Sequence, residues 1–271
     1  MLTLSRGRYQ ARPATTTEDV RRAQRLRWLA FRAAPDAGAG VDARGEAGCL
    51  DADGFDAACT HMLIEEAASG TLVCCFRLMD LPSGAVIGRS YAAQFYDLSA
   101  LAGYAGRMVE MGRFCVHPAW RDADILRVAW AAMTAHVDAT GVQMLFGCSS
   151  FRGTDAREYR DAFALLRARH LAPARWQPRV KAPSVVRFGG LQGGHPDPRR
   201  AMARMPPLLR TYLMMGGWVS DHAVVDRDLG TLHVFTGLEV GAVPPARARA
   251  LRGISGASGP RGAPVPVRAP G

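Results

Sequence analysis

No stretch of this sequence approaches the ~20 consecutive apolar residues that a membrane-spanning helix needs. The opening MLTLSRGRYQ also lacks the long apolar core of a signal peptide. The expectation is a cytoplasmic protein, free or held at the periphery of the inner membrane. The six cysteines, Cys49, Cys59, Cys74, Cys75, Cys115 and Cys148, form no CxxC pair and no metal-ligand spacing. Four of them lie in apolar runs, where a reduced thiol packs as a small hydrophobe. The seven histidines are scattered, with no HExxH among them. No metal is therefore expected. Lysine is nearly missing: Lys181 stands alone beside 33 arginines. Part of that bias reflects base composition, yet arginine suits recognition of carboxylates and phosphates. With 34 basic against 24 acidic side chains the formal charge is +10, which attracts acidic proteins or anionic membrane. The arginines are dispersed, without aromatic-interleaved patches or a nucleic-acid motif, so no nucleic-acid partner is expected.

What is present is a foldable chain. Apolar residues make up 48% and charged residues 21% of the sequence, the balance of a globular protein. RYQARPAT reads as a first strand. A helix follows, with Thr15 and Glu18 spaced as a capping box. Two strands are expected, around Cys59–Glu65 and Leu72–Met79, separated by a short turn. YAAQFYDLSALA reads as a short helix. VEMGRFCV is the next strand, and ILRVAWAAMTAHVDATG is a helix closed by Gly141. VQMLFGCSSF reads as a strand, DAREYRDAFALLRARHL and PPLLRTYLMMGGW as helices, and TLHVFTGLEV as a late strand. A Gly/Ala-rich loop separates Pro35 from Gly48. This order gives an α/β fold: a mixed, mostly antiparallel sheet flanked by helices. The folded domain is expected over 1–246, with a core at 8–170 and an extension at 171–246 packed on it. Residues 247–271 hold almost no large apolar side chain, so a disordered tail is expected there.

Charges stand where apolar residues belong. Arg27 shares a helix face with Val20, Ala23, Ala30 and Phe31. Either its head snorkels to solvent or it enters a polar site under the helix. Arg77 alternates onto one strand face with Val73, Cys75 and Met79. Three aspartates, Asp51, Asp53 and Asp56, crowd a short loop. In a regular strand Glu110 and Arg113 point to opposite faces; an extra residue near Gly112 would bring them onto one.

In this order LRWLAF, DGFD, FRL and EMGRFCVHP resemble the acyl-homoserine-lactone-synthase-like branch of the GNAT acyltransferase superfamily. DGFDAACTHMLI, MLFGCSSFRGTD and the stretch PPLLRTYLMMGGWVSDHAVVDRDLGTLHVF favour the ornithine-lipid N-acyltransferases within it. The similarity runs from about Arg8 to Val240. It implies a GNAT fold and transfer of a 3-hydroxyacyl chain from acyl carrier protein to the α-amine of ornithine, giving lyso-ornithine lipid. Homoserine-lactone synthesis, or acylation of glutamine or lysine, is the alternative. Residue by residue it implies Glu110 as the catalytic base and Arg27, Trp28, Phe31, Asp53, Asp56, Arg77 and Arg113 as substrate-binding. No bound cofactor is implied, because the phosphopantetheine thioester arrives as donor substrate. One departure stands out: the glycine-rich pyrophosphate loop of GNAT enzymes is replaced by WRDADILR.

Overall fold

The computed structural model describes residues 3–33, 49–191 and 197–255. The first strands are β1 (Leu4–Arg6), β2 (Tyr9–Pro13), β3 (Thr60–Glu66), β4 (Leu72–Leu81) and β5 (Tyr96–Asp97). They are followed by β6 (Met108–Val116), β7 (Met144–Arg152), β8 (Arg179–Val180) and β9 (Val185–Arg187). The last are β10 (Trp218–Val219), β11 (His222–Asp226) and β12 (Thr231–Glu239). The helices are α1 (Thr17–Phe31), α2 (Ala123–Thr140), α3 (Arg160–Arg169), α4 (Pro198–Arg204), α5 (Pro207–Met214) and α6 (Pro245–Ser255).

One sheet runs β1-β2-β3-β4-β6-β7-β12-β11-β9, with β10 added on β12, and β5 pairs with β8 in a second, small sheet. Only β6 and β7 pair in parallel; every other described neighbour is antiparallel. The mixed, mostly antiparallel sheet expected from the sequence is therefore present. Alternation along each strand divides the chemistry between the two faces. Ile64, Phe76, Leu78, Val109 and Met111 pack with Ile125, Val128 and Trp130 of α2. On the other face, Leu63, Cys75 and Cys115 pack under Ala23 and Leu26 of α1.

Three local expectations need correction. The cap of α1 is Thr16, whose side chain accepts from Asp19 N, while Asp19 accepts from Thr15 N. The cap is thus one residue later than the Thr15–Glu18 spacing suggested and is not reciprocal, since Asp19 takes the N–H of Thr15 rather than that of the cap and is also held by Arg12. Residues 91–102 do not form one helix. They make 3₁₀ turns at Ala92–Gln94 and Ser99–Leu101 around β5, since Tyr96 and Asp97 pair with Val180 and Arg179. The disorder expected from 247 is not found in the described part of that segment: residues 245–255 are helical and dock on α2. Leu251 packs on the core and Arg252 forms a 2.8 Å ion pair with Asp138. An Ala/Arg-rich segment is a good helix former, and one leucine and one ion pair on such a helix seat it. Residues 256–271 and the Pro35–Gly48 loop lie outside the described residues.

Candidate active site

The site begins where β6 stops pairing with β7. The two strands are in register only over Met108–Glu110 and Met144–Phe146. Beyond that point β6 follows β4 and β7 follows β12, so a gap opens between them. Gly147 stands at the parting. A Cβ there would come within 2.3 Å of the Met111 carbonyl oxygen, so a side chain would push the strands apart too early.

A bulge follows at once on β6. Arg77 faces Gly112 and Cys75 faces Cys115, so Phe76 alone opposes Arg113 and Phe114. Arg113 takes φ 51°, the only positive φ of a described non-glycine residue. The strain falls on Arg113 rather than on Gly112. The extra residue turns Arg113 onto the face that already carries Glu110 and Arg77. A non-glycine residue in that region costs about 1 to 3 kcal/mol, which the ion pairs it makes must offset.

Those ion pairs join three guanidinium groups to three carboxylates. Arg27 Nε donates to Asp51 Oδ2 at 2.8 Å and its Nη1 to Asp56 Oδ1 at 2.7 Å. Arg77 Nη1 donates to Asp53 at 2.6 Å and to Asp56 at 2.7 Å. Arg113 reaches Asp51 at 2.9 Å, Asp53 at 3.3 Å and the Tyr91 hydroxyl at 3.2 Å. Gln24, one turn before Arg27, donates to Asp56 at 2.8 Å. Arg27 is 1% exposed, so its head does not snorkel. Burial alone would raise the Asp56 pKa, but the bonds from Arg27 and Gln24 hold it well below the usual carboxylate range. Asp53 is lowered the same way against its burial, mainly by Arg77. At the edge of the wall Arg32 stands 3.6 Å from Asp51 and 2.9 Å from Asp228, so four guanidinium groups meet four carboxylates and the wall is paired rather than a free anionic pocket.

Glu110 is held differently. It does not pair with Arg113. Its two carboxylate oxygens accept the backbone N–H groups of Tyr91 and Ala92, each at 2.7 Å. It is 4% exposed. Burial pushes its pKa up to about 7, while those two N–H groups and nearby Arg77 pull the other way. The segment bearing the two N–H groups is braced from the C-terminal extension. Ala182 N donates to Phe95 O at 2.9 Å, and Lys181 Nζ to Ala93 O at 2.6 Å.

The start of α2 is capped by an aspartate. The Asp122 carboxylate caps it by accepting Asp124 N, and its other oxygen accepts Arg8 and Tyr9, each bond 2.9 Å. Arg127 is drawn to Asp124 at 2.6 Å. The helix start that could bind phosphate therefore carries an internal carboxylate, which takes one of its N–H groups, that of Asp124.

Residues 26–131 match the acetyltransferase (GNAT) domain family. The chain is 34% identical to the L-ornithine N(alpha)-acyltransferase of Rhodobacter capsulatus over 232 residues, 83% of this chain and 88% of that protein. The chain belongs to the L-ornithine N(alpha)-acyltransferase family. It is an acyltransferase with the GNAT fold. The Rhizobium meliloti member is 28% identical over 86% of this chain and 81% of its own length. Among solved structures, the acyl-homoserine-lactone synthase LasI aligns over 90% of this chain and 94% of its own, at 16% identity and TM-score 0.43.

Of the residues singled out in the sequence of this acyltransferase, Arg27, Asp53, Asp56, Arg77 and Arg113 meet in one hydrogen-bonded wall, and Glu110 stands beside it. Phe31 packs on the Cys75–Cys115 cluster. Trp28 is half-buried on α1 and stays outside the ion-pair wall. Asp51, placed in the crowded loop but not among the site residues, is a full partner in the wall. The helical spacing from Gln24 to Arg27 would have found Gln24. Tyr91 and Ala92 act through backbone N–H groups, for which side-chain pattern carries no signal. Among the described residues no group of three or more His, Cys, Asp or Glu side chains is arranged to hold a metal ion. No described helix is long and apolar enough to cross a membrane.

Proposed function

We propose that this acyltransferase moves a 3-hydroxy fatty acyl chain from acyl carrier protein to the α-amine of ornithine, forming lyso-ornithine lipid. The observation that carries this reading is Glu110, a buried carboxylate of raised pKa at the parting of β6 and β7. An amine attacks a thioester only after losing its proton, and free α-amines titrate near 8. Glu110 accepts that proton directly or through one water on the lone pairs its N–H partners leave open. The amine nitrogen then bonds to the thioester carbon, N–H groups at the Gly112–Phe114 bulge receive the oxyanion, and the C–S bond breaks. The carrier leaves as a thiol, taking the proton released. No protein nucleophile is needed, and the buried Cys74 and Cys148, whose pKa values burial pushes far up, stay inert.

The names of the relatives support ornithine as acceptor. Asp53 and Arg113 are more exposed than Arg27, Arg77, Asp51 and Asp56, which share the wall with them, at 22% and 11% of side-chain area. Asp53 faces the acceptor's ammonium groups and Arg113 its carboxylate. The carboxylates of Asp122 and Asp124 at the start of α2 support a carrier-protein donor, which presents its pantetheine arm without the nucleotide diphosphate of coenzyme A. A chain of charge +10 suits an acidic carrier, and equally the anionic membrane surface toward which a lipid product leaves.

Expression in a host without ornithine lipid, followed by mass spectrometry of the lipid extract, tests the acceptor. An N-acylated ornithine is expected; an acylated glutamine, lysine or homoserine lactone overturns it. Matched acyl-carrier and acyl-coenzyme A donors, compared from ~0.1 to ~0.5 M salt, test the donor. A carrier preference that weakens with salt is expected, and equal kcat/KM at all salt concentrations refutes it.

A further inference from the structure

The acceptor's α-amine and carboxylate meet Glu110 and the ion-pair wall, but its side chain ends in a second ammonium. Asp53 has little left to offer that group: both its oxygens already accept from Arg77, and one also from Arg113. A further carboxylate lies across the parting strands. The sheet face that carries Glu110 continues over β7, β12 and β11. Register pairs Glu110 with Phe146, Cys148 with Phe235, His233 with Val224 and Thr231 with Asp226. Paired residues and alternate residues share a face, so Glu110, Cys148, His233, Thr231 and Asp226 all lie on one side of the sheet.

Asp226 is a buried carboxylate without a cation. It is 9% exposed, and one oxygen accepts Leu229 N at 3.0 Å within the β11–β12 turn. Among the described residues no arginine, lysine or histidine pairs with it; Arg152, beside Thr231 on β7, is exposed and forms no ion pair with it. Asp51, Asp53, Asp56 and Asp228, by contrast, each hold an arginine. Its two neighbours on this face are equally incomplete. Thr231 Oγ1 and His233 Nε2 are buried with no hydrogen-bond partner among the described residues, and His233 is 3% exposed. Tyr96 Oη lies 2.8 Å from the His233 carbonyl oxygen and 3.1 Å from its Nδ1. The hydroxyl has one proton, which goes to the carbonyl, so Nδ1 carries its own and Nε2 is left as a lone pair. Burial keeps the ring neutral, its pKa pushed down to about 4. His233 stands diagonal to Asp226 across the hairpin, within reach of a shared ligand. A carboxylate oxygen, a hydroxyl and an imidazole lone pair thus gather on one buried face, and native structures seldom leave such groups unmet.

The route from the reaction centre to these acceptors is aromatic. The Arg113 guanidinium lies 5.0 Å from the Tyr91 ring, Tyr91 5.3 Å from Phe95, and Phe95 5.0 Å from His233. Cys148 is close enough to both Glu110 and Asp226 for their charges to raise its pKa. An aromatic wall ending in acceptors suits a short aliphatic stem tipped with a cation. We infer that Asp226, with Thr231 and His233, binds the ammonium group at the end of the acceptor's side chain and so selects a cationic acceptor. This assignment rests on the acyl-transfer reading and divides the two ammonium groups, leaving the α one to Asp53.

The test uses the full chain, one acyl-carrier donor and two acceptors: ornithine, and norvaline, which has the same carbon skeleton without the terminal amine. The unmodified chain should prefer ornithine. Asp226→Asn keeps an oxygen for Leu229 N and with it the turn. It should lower kcat/KM for ornithine about ten- to hundred-fold, chiefly through KM, and leave norvaline unchanged. Thr231→Val, equal in shape, should reduce the ornithine-to-norvaline ratio about two- to ten-fold. Thermal melting establishes that each variant is folded, and the second decides alone if the first is not. An unchanged ratio in the variant that decides, or an equal loss for both acceptors, assigns Asp226 to the turn and overturns the inference. So does an unmodified chain that acylates both acceptors equally well. Failure of the parent reading looks different: the unmodified chain would then acylate neither.

Discussion

The two faces of β4 and β6 are built from alternating residues of the same strands, and their chemistries are opposite. Toward α2 stand Phe76, Leu78, Val109 and Met111, all buried and packed without a polar partner. Toward α1 stand Arg77, Glu110 and Arg113, buried almost as deeply. The apolar face is what burial favours at about 25 cal/mol per Å². The charged face is what burial opposes, and it persists because each guanidinium meets two carboxylates and Glu110 meets two backbone N–H groups. A core needs only the first arrangement. The second costs free energy unless complete, so it marks the place where the fold serves the reaction.

The largest effect expected from breaking this contrast is at Glu110. Glu110→Gln keeps the shape and removes the proton acceptor, so kcat should fall by about 10² to 10⁴ with folding retained. The pH profile sharpens the point. As a base, Glu110 must be ionised, so kcat/KM should rise as pH passes upward through about 7, and the residual activity of the Gln variant should lack that limb. Stability runs the other way. A carboxyl whose folded pKa is raised adds stability that is full below the unfolded value near 4.5 and lost as pH rises through about 7. Urea titrations of both proteins at several pH values would reveal this. Near-full turnover of a folded Gln variant would leave Glu110 as a structural clamp only.

Next in size is Asp56→Ala. It strips Arg27 and Arg77 of a shared carboxylate while both remain buried, and about 3 to 5 kcal/mol of stability should be lost. The loss should hold at neutral pH, because Asp56 is ionised there and its contribution disappears only as pH falls through its depressed pKa. A change under 1 kcal/mol by urea unfolding would show that the wall relaxes around the gap.

The α2 face should respond more mildly. Ending the chain after Pro244 removes α6 and should cost about 1 to 2 kcal/mol from the leucine contact and the exposed ion pair. Smallest is Ile64→Val, which deletes one methylene against α2 and should cost about 0.5 to 1.5 kcal/mol without altering kcat. If Ile64→Val slows turnover as much as a change on the charged face, the two faces are not separable in function.

The sequence alone determined the strand and helix order along most of the chain, because apolar periodicity and glycine caps act locally. Gly141 closes α2 at φ 68° just as its position implied. It also marked Arg27, Arg77, Glu110 and Arg113 as charges in apolar surroundings, since alternation and helical spacing can be read without a fold. Tertiary structure decided what those charges do. Asp51, Asp53 and Asp56 come from one loop, yet their partners lie on α1, β4 and β6, and no local rule predicts three such pairings. The partner of Glu110 is the backbone of a 3₁₀ turn held by a strand 80 residues further on. That residues 248–255 fold was also decided there. Composition counts apolar residues, whereas docking needed only Leu251 and Arg252 to fall opposite a groove and a carboxylate on α2.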